Sequence, residues 1–259
     1  MQREETKYEK KNGVAYLSMS RPDKGNAVTR KMVGELREGI MDVRNDPEVK
    51  VLVFKGEGRF FSAGIDLDEC AKGEDLMRDV PGTALPAVAG GLDILLRDCD
   101  KITIAAVNGP AIGMSCDLAL CCDFRICSDK ASFWEPYARL GTMPSAGPYF
   151  LPKMVGIQKA MAFFLLGETI SADEALKLGI AYKVVPGDKL NAAVQEVIDV
   201  LMQYSPTVLQ FTKHTILMGL ENTLANVLDY VKWTRKITRP LIAPAAQAIL
   251  EKKSPTYKY

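Results

Sequence analysis

The chain has 259 residues, of which 47% are apolar and 25% charged, a composition typical of a globular protein that can bury a full-sized core. Its 33 lysines and arginines nearly balance 32 aspartates and glutamates, so no overall field attracts nucleic acid or an anionic membrane surface. No apolar run approaches the roughly 18 residues of a membrane-spanning helix, and the charged N-terminus MQREETKYEK argues against a secretory or transit peptide. We therefore expect a cytoplasmic protein of one large domain, or of one domain with a small appendage.

Cysteine and histidine usage argues against a metal site. The six cysteines include no CxxC pair, and the chain has a single histidine, His214, so no zinc-ligand spacing is present. Most of the cysteines lie within apolar runs, which is typical of buried, reduced thiols in a cytosolic protein. We therefore expect neither disulfides nor a metal-dependent mechanism.

The first part of the chain alternates strands with helices. GVAYLSMS (13–20) and VKVLVFKG (49–56) have the pattern of strands, and the valine-rich second one is expected to be buried. Between them, apolar residues recur at helical spacing at Met32, Leu36, Ile40 and Val43. A helix is expected over 90–99, a buried strand over 101–109, an apolar helix opening at Gly113 and a strand over 123–129. This alternation predicts an α/β architecture with mostly parallel strands.

From about residue 155 the pattern indicates helices alone. Two helices are expected to end at Gly167 and Gly179, and Ser171 with Glu174 fits a capping box. Three amphipathic helices follow. We therefore divide the chain into an α/β core, residues 1–195, and a helical C-terminal segment, residues 196–259, which packs on the core or on a neighbouring subunit.

Two glycine-containing turns share one layout. The strand VLVFKG leads into RFFSAGIDL, and the strand ITIAAVNG leads into PAIGMSCDLAL. Each has a buried strand, then glycine or other small residues, then the start of a helix, which is how a protein presents free backbone N–H groups to a negatively charged oxygen. Either turn taken alone favours a simple chain connection. Two such turns in order, with Asp117 on the second helix, are more specific evidence for a binding site of this kind.

With these turns the sequence resembles the enoyl-CoA hydratase/isomerase family, the crotonase superfamily. The resemblance covers nearly the whole chain through blocks in family order, namely RPDKGNAV, GRFFSAGIDL, AAVNGPAIGMSCDLALCCDFRICSDKASF, RLGTMP, ETISADEALKLGIAYKVV and AILEKKSPTY. It implies an α/β spiral of repeated strand-strand-helix units with a helical C-terminal trimerisation segment. It also implies a homotrimer or a dimer of trimers.

The resemblance further implies an acyl-CoA site. The two turns would form an oxyanion hole for the thioester carbonyl, with the backbone N–H groups of Ile65 and Met114 as donors, each worth roughly 3 kcal/mol of activation barrier. Methionine 114 stands where family members commonly have glycine, but the donor is a backbone group and is therefore kept. Coenzyme A would enter as part of the substrate thioester, and no permanently bound cofactor is expected.

The coenzyme itself is assigned by resemblance to Lys24, Ala63, Gly64, Asp66 and Leu67. The adenine would lie against the backbone around Ala63 and Asp66, with Lys24 near the nucleotide. Lys252 or Lys253 of a neighbouring subunit is a candidate for the phosphates. For each lysine, a solvated surface charge is an equal alternative. PGTALPAVAG (81–90) would border the acyl pocket.

All three acid–base positions of the family are changed in this chain. Family hydratases use two glutamates, and the matching positions hold Asp117 and Tyr137; some isomerases place a single base where this chain has Ser145. Aspartate withdraws its carboxylate by about an ångström, a misplacement that can cost about a hundredfold in rate. Asp117 is therefore either the base or a core hydrogen-bonding group. Tyr137 is a proton donor or part of an aromatic wall, and Ser145 positions water or caps a loop.

Glu135 is the remaining catalytic candidate. It precedes Tyr137 by two residues and would project to the same side if the segment were extended. It would then replace the missing base, and a solvent or subunit contact is the alternative. His214 lies on a predicted C-terminal helix away from these residues and is interpreted as structural.

Three functions remain open on the sequence. The first is an enoyl-CoA hydratase or isomerase that passes through a thioester enolate. The second keeps the CoA site but hydrolyses or decarboxylates the acyl-CoA, or acts on a ring-bearing acyl group. The third is a CoA-binding or assembly protein without a catalytic base, which is favoured only if Asp117 points away from the thioester.

Overall fold

Nine strands and twelve α-helices make up the computed structural model, which describes residues 3–72, 91–255 and 257. The strands are β1 (Thr6–Lys11), β2 (Val14–Met19), β3 (Val51–Gly56), β4 (Ile102–Val107), β5 (Pro110–Ile112), β6 (Phe124–Ser128), β7 (Ser132–Trp134), β8 (Ile170–Ser171) and β9 (Lys183–Val185). The helices are α1 (Arg30–Asn45), α2 (Leu67–Ala71), α3 (Leu92–Arg97), α4 (Met114–Cys121), α5 (Tyr137–Leu140), α6 (Gly147–Val155), α7 (Ile157–Leu165), α8 (Ala172–Lys177), α9 (Leu190–Leu201), α10 (Pro206–Gly219), α11 (Leu224–Thr238) and α12 (Ile242–Leu250).

The strands form two sheets. The larger has the spatial order β1-β2-β3-β4-β6-β9, in which β1 runs antiparallel to β2 and every other neighbouring pair is parallel. The smaller has the order β5-β7-β8. Because β5 follows β4 directly, the smaller sheet begins at the carboxyl end of the larger one. That edge carries the second glycine turn.

The larger sheet is buried on both faces. Side chains alternate along β3, so that Leu52 and Phe54 enter one apolar cluster and Val51 and Val53 enter the other. Helix α1 covers the first cluster with the buried stripe predicted from the sequence, and its first turn is capped by Thr29, whose hydroxyl accepts the Met32 N–H at 3.0 Å. Helix α9 covers the second cluster.

One expectation about the later part of the chain needs correction. The expectation of helices alone after residue 155 is wrong, because β8 and β9 lie there. Both are only two or three residues long, too short to produce a period in the sequence. The predicted boundary between residues 195 and 196 falls inside α9, which packs on the large sheet. The division into two domains stays a prediction.

The helix cap at Ser171 and the burial of most cysteines, both expected from the sequence, are present in the structure. The Ser171 hydroxyl accepts the Glu174 N–H at 3.3 Å and caps α8. Five of the six cysteines are buried, and none of the six takes part in a disulfide bond. None of the helices in the described residues is long and apolar enough to cross a membrane.

Candidate active site

The two glycine turns lie against each other. Ser62 and Ala111 form a parallel bridge, in which the Ser62 N–H donates to the Pro110 carbonyl at 3.1 Å and the Ile112 N–H donates to the Ser62 carbonyl at 3.0 Å. The Ser115 hydroxyl, from the first turn of α4, donates to the same Ser62 carbonyl at 2.9 Å. The backbone of one turn is therefore fixed by hydrogen bonds to the other.

Glycine is required where the turns approach most closely. Gly64 has a φ of 85°, and a Cβ on it would lie 2.6 Å from the Ile112 carbonyl oxygen. Gly113 has a φ of 53°, and its N–H donates to the Trp134 carbonyl at 2.8 Å. Any other residue at position 64 would push the turns apart.

The two backbone donors assigned by resemblance, Ile65 and Met114, are both left without an acceptor in the described residues. The Val28 N–H donates to the Gly64 carbonyl, and the Asp66 N–H donates to the Val28 carbonyl. Ile65 lies between these two bonded residues, and its own N–H takes no part in the bridge. Met114 is the first residue of α4, where an N–H has no intrahelical acceptor. Within the described residues, neither N–H makes a hydrogen bond. Two contacting loops therefore each carry a backbone donor that has no acceptor in the described residues.

Asp117 lies on the first turn of α4 and is fully buried. Its Oδ2 accepts the Ser145 N–H at 3.1 Å and the Ser145 hydroxyl at 2.8 Å, and its Oδ1 accepts the Gly147 N–H at 2.5 Å. Burial raises the pKa of Asp117 to about 6, against the lowering effect of these hydrogen bonds and with a further increase from the charge of Asp93. The carboxyl group is thus anchored and titrates near neutrality.

Glycine at position 147 is what lets α6 approach Asp117. A Cβ at this position would lie 2.5 Å from Asp117 Oδ1 and 2.9 Å from the Phe164 ring. Gly147 was not predicted as a site residue, because the segment SAGP in which it lies has the composition of an ordinary loop. The contact itself spans 30 residues of chain.

Glu135 and Tyr137 bring three unpaired polar atoms to the same place. Glu135 is 1% exposed and Tyr137 is 2% exposed. Both carboxyl oxygens of Glu135 and the Tyr137 hydroxyl are buried without a hydrogen-bond partner in the described part of the chain. Burial, and next the charge of Asp117, raises the pKa of Glu135 well above its usual range and that of Tyr137 above 10. Burial therefore favours the neutral form of both groups.

The expectation about Glu135 needs two corrections. A solvent or subunit contact is wrong, since the side chain is buried within this chain. The segment is also not extended, because Pro136 has a φ of −80° and a ψ of 15° and begins α5. The turn carries Tyr137 back against the second glycine turn, where a Cβ on Gly113 would lie 3.7 Å from the tyrosine oxygen. The structure therefore brings all four predicted catalytic residues together beside Met114.

The residues assigned to the coenzyme lie along the first glycine turn. The Ala63 N–H donates to the Gly25 carbonyl at 2.8 Å, next to Lys24, and Leu67 is exposed. Lys24 is a surface residue whose Nζ lies 3.8 Å from Asp68.

The Asp66 side chain faces the protein instead. It pairs with Arg21 at 2.9 Å and caps α2 by accepting the N–H groups of Asp68 and Glu69. Although burial opposes it, these hydrogen bonds lower the pKa of Asp66. Arg21 was not predicted. The backbone N–H of Asp66 donates to the Val28 carbonyl at 2.9 Å, and the Asp66 carbonyl accepts the Cys70 N–H at 3.2 Å.

The remaining candidates lie elsewhere. His214 is on α10 and faces Asp100 at 3.3 Å. Lys252 and Lys253 are exposed after α12, and Lys253 pairs with Glu251 at 2.9 Å. The segment 81–90, predicted to border the acyl pocket, lies outside the described residues.

Comparison with known proteins identifies the family. The sequence profile of the enoyl-CoA hydratase/isomerase family matches residues 9–258. Carnitinyl-CoA dehydratase of Citrobacter koseri is 34% identical over 93% of this chain and 94% of its own. 4-Chlorobenzoyl coenzyme A dehalogenase-2 of an Arthrobacter species is 32% identical over 85% of this chain and 80% of its own.

Solved structures agree with the sequence matches. An enoyl-CoA hydratase subunit of Geobacillus kaustophilus superposes with a TM-score of 0.87 at 29% identity, covering 98% of each chain. A Thermobifida fusca protein in complex with acetoacetyl-CoA superposes with a TM-score of 0.80 at 31% identity, covering 91% of this chain and 95% of its own. The predicted crotonase-like α/β fold with a helical C-terminal region is thereby confirmed. The chain belongs to the enoyl-CoA hydratase/isomerase family.

Proposed function

We propose that this protein transforms an acyl-CoA thioester by proton transfer at the carbon next to the thioester carbonyl, in the manner of a hydratase or isomerase. The proposal depends above all on one observation, the free N–H groups of Ile65 and Met114 on two contacting turns. The relatives named for carnitinyl-CoA and 4-chlorobenzoyl-CoA, and the neighbour that holds acetoacetyl-CoA, support a CoA thioester as the substrate.

The two donors match the charge that develops in this chemistry. Removing the α-proton moves negative charge onto the thioester oxygen and gives an enolate. Donors fixed in advance at that oxygen stabilise the transition state by roughly 3 kcal/mol each. The hydrogen-bonded bridge between the turns keeps the donors in place without reorganisation during the reaction.

Asp117 is the proposed base. Its pKa of about 6 makes it ionised at neutral pH yet still basic enough to accept a proton. Ser145 and Gly147 occupy one side of the carboxylate and fix its orientation. Ser145 is thus a positioning residue in this proposal, and we propose that the acceptor site that remains on the carboxylate takes the proton of the substrate.

The rest of the assignment follows the family. Coenzyme A binds as part of the substrate, with its adenine along the backbone of Ala63, Gly64, Asp66 and Leu67 and with Lys24 near the nucleotide. We also propose a cytoplasmic homotrimer or dimer of trimers, built through the C-terminal helices.

The oxyanion hole can be tested by removing one donor. Proline is tolerated at the first position of a helix, so Met114→Pro deletes the N–H while α4 can still form. Met114→Ala removes the same side chain and keeps the N–H. We expect turnover to fall about 100- to 1,000-fold in Met114→Pro relative to Met114→Ala.

The assay is incubation with a panel of enoyl-, hydroxyacyl- and acyl-CoAs followed by mass spectrometry. A gain or loss of water indicates hydration or dehydration, an unchanged mass with shifted absorbance indicates isomerisation, and free CoA indicates hydrolysis. Equal turnover of the two variants would remove Met114 from the site. If the wild type bound CoA but left every thioester unchanged, the proposed function would be wrong.

A further inference from the structure

The position of Glu135 is fixed by the same backbone that forms the second glycine turn. Strands β5 and β7 pair in parallel, with Ile112 opposite Trp134. The Trp134 carbonyl accepts the Gly113 N–H at 2.8 Å. Glu135 follows Trp134 in the chain, and Met114 follows Gly113. Because Trp134 and Gly113 are hydrogen-bonded to each other, Glu135 and the Met114 N–H are close in space. The carboxyl group of Glu135 is therefore held beside the site.

The environments of the two buried carboxyl groups are opposite. Asp117 accepts three hydrogen bonds, two from Ser145 and one from Gly147. Glu135 has none on either oxygen, and burial together with the charge of Asp117 favours its neutral form. Cys116 and Tyr137, the other titratable groups beside it, are also kept protonated by burial. Neighbouring carboxyl groups with pKa values pushed apart in this way are typical of an acid–base pair.

Cys116 and Asp117 lie close to the Glu135 carboxyl group, and Asp117 lies close to the Tyr137 hydroxyl, but none of these pairs in the described residues has the geometry of a hydrogen bond. Buried polar groups in proteins are nearly always hydrogen-bonded, and a hydrocarbon chain would satisfy neither Glu135 nor the Tyr137 hydroxyl. An oxygen on the acyl group would accept a hydrogen bond from both. Because Trp134 is hydrogen-bonded to Gly113, the residue before Met114, such an oxygen would lie near the thioester.

We propose that Glu135 is the second catalytic residue, a general acid that protonates the hydroxyl leaving the β-carbon of a 3-hydroxyacyl-CoA. The assignment rests on the proposed function. The Tyr137 hydroxyl positions the same oxygen. Glu135 therefore takes the place of the glutamate that hydratases carry two residues later.

The step balances without any further reactant. Asp117 takes the α-proton, and the electron pair of the C–H bond moves onto the thioester oxygen between Ile65 and Met114. When the enolate collapses, the Cα–Cβ double bond forms and the Cβ–O bond breaks. The departing oxygen takes the proton of Glu135 and leaves as water. A proton returned from Asp117 to Glu135 restores both groups, and the reverse sequence is hydration.

The test separates the two carboxyl groups by the reaction each supports. Exchange of the α-proton of butyryl-CoA in D₂O needs only the base and the oxyanion hole. Dehydration of 3-hydroxybutyryl-CoA needs the acid as well. In Glu135→Gln, which is nearly isosteric, we expect dehydration to fall at least 100-fold and exchange to stay within about fivefold of wild type. In Asp117→Asn, both reactions are expected to be lost.

The exchange reaction also reports whether each variant is folded. Equal losses of exchange and dehydration in Glu135→Gln, or unchanged dehydration, would overturn the role of Glu135 while leaving the proposed function intact. Tyr137→Phe is a second variant and should weaken dehydration without affecting exchange. A wild-type protein that exchanges the α-proton but dehydrates no hydroxyacyl-CoA would overturn this assignment alone. Failure of both reactions in the wild type would overturn the proposed function itself.

Discussion

Gly147→Ala tests whether the anchoring of Asp117 controls the reaction. The added Cβ would lie 2.5 Å from Asp117 Oδ1, whereas ordinary contacts begin at 3.4 Å. The carboxylate, or the start of α6, must therefore move by about 0.9 Å. The Phe164 ring, 2.9 Å from the same position, blocks the opposite direction. A misplacement of this size at a reacting group costs about a hundredfold in rate.

We therefore expect Gly147→Ala to lower kcat about 100-fold with little change in KM, because the residues proposed to bind CoA lie on the first glycine turn and not on α6. The assays are α-proton exchange in D₂O and turnover followed by mass. Overpacking should also lower the free energy of unfolding by about 1–3 kcal/mol, which urea denaturation measures.

Gly34→Ala is the matched control. It adds the same methyl group within α1, where no atom lies within 4 Å of the new Cβ. We expect unchanged turnover and a gain of about 0.5–1 kcal/mol in stability. Turnover of Gly147→Ala within threefold of wild type would refute the reasoning, since Asp117 would then tolerate displacement or take no part in the reaction.

Three further predictions concern ionisable groups. Because the proposed base Asp117 must be ionised to accept a proton and its pKa is about 6, kcat/KM should rise about tenfold per pH unit below 6 and level off above it; a flat profile between pH 5 and 7 would exclude this base. Glu135→Leu removes an unpaired buried carboxyl and should raise the free energy of unfolding by about 1–3 kcal/mol while abolishing dehydration, and a loss of stability in urea would reveal a structural partner. Lys213→Met leaves the partly buried Asp123 and two carbonyl groups without a donor from α10 and should cost about 3–5 kcal/mol in the same assay. The exposed Lys232→Met is its control, and equal stability of the two variants would contradict the prediction.

The sequence predicted those elements whose apolar pattern extends over enough residues to be detected. Helix α1 has four turns with one apolar stripe, and β3 and β4 are continuous apolar runs. Strand β1 was missed because five of its six residues are not buried and their polar side chains resemble a loop. Strands β8 and β9 were missed because pairing across the chain, rather than local pattern, defines them.

The candidate site was predictable where it is formed by backbone groups rather than by side chains. The geometry of the two turns follows from Gly64 and Gly113, whose backbone conformations disfavour other residues, and from the strands that precede them. The environment of Asp117 was not predictable, because its three donors belong to residues about 30 positions later and come close only through the packing of α4 on α6. Sequence therefore indicates which residues are available and tertiary packing decides their protonation.

Burial of charge distinguishes the site from the rest of the protein. In the part of the chain that the structure describes, six charged residues are buried: Glu35, Asp66, Asp117, Arg125, Glu135 and Lys213. Five of them are hydrogen-bonded, as Arg125 is to the carbonyl groups at the end of α4 and Glu35 is to three backbone N–H groups. Glu135 alone has no partner.

A side chain in this condition destabilises the fold, because burying a polar group without a hydrogen bond costs about 1–3 kcal/mol. Glutamate is among the residues least often fully buried unless paired. A leucine of similar size would remove the penalty, so packing gives no reason for a glutamate here. Glu135 lies near the Met114 N–H that has no acceptor. A substrate oxygen bound there would supply the missing hydrogen bond, and this explains why a glutamate stands at this position. The unpaired carboxyl group is thus best explained by the reaction rather than by the fold.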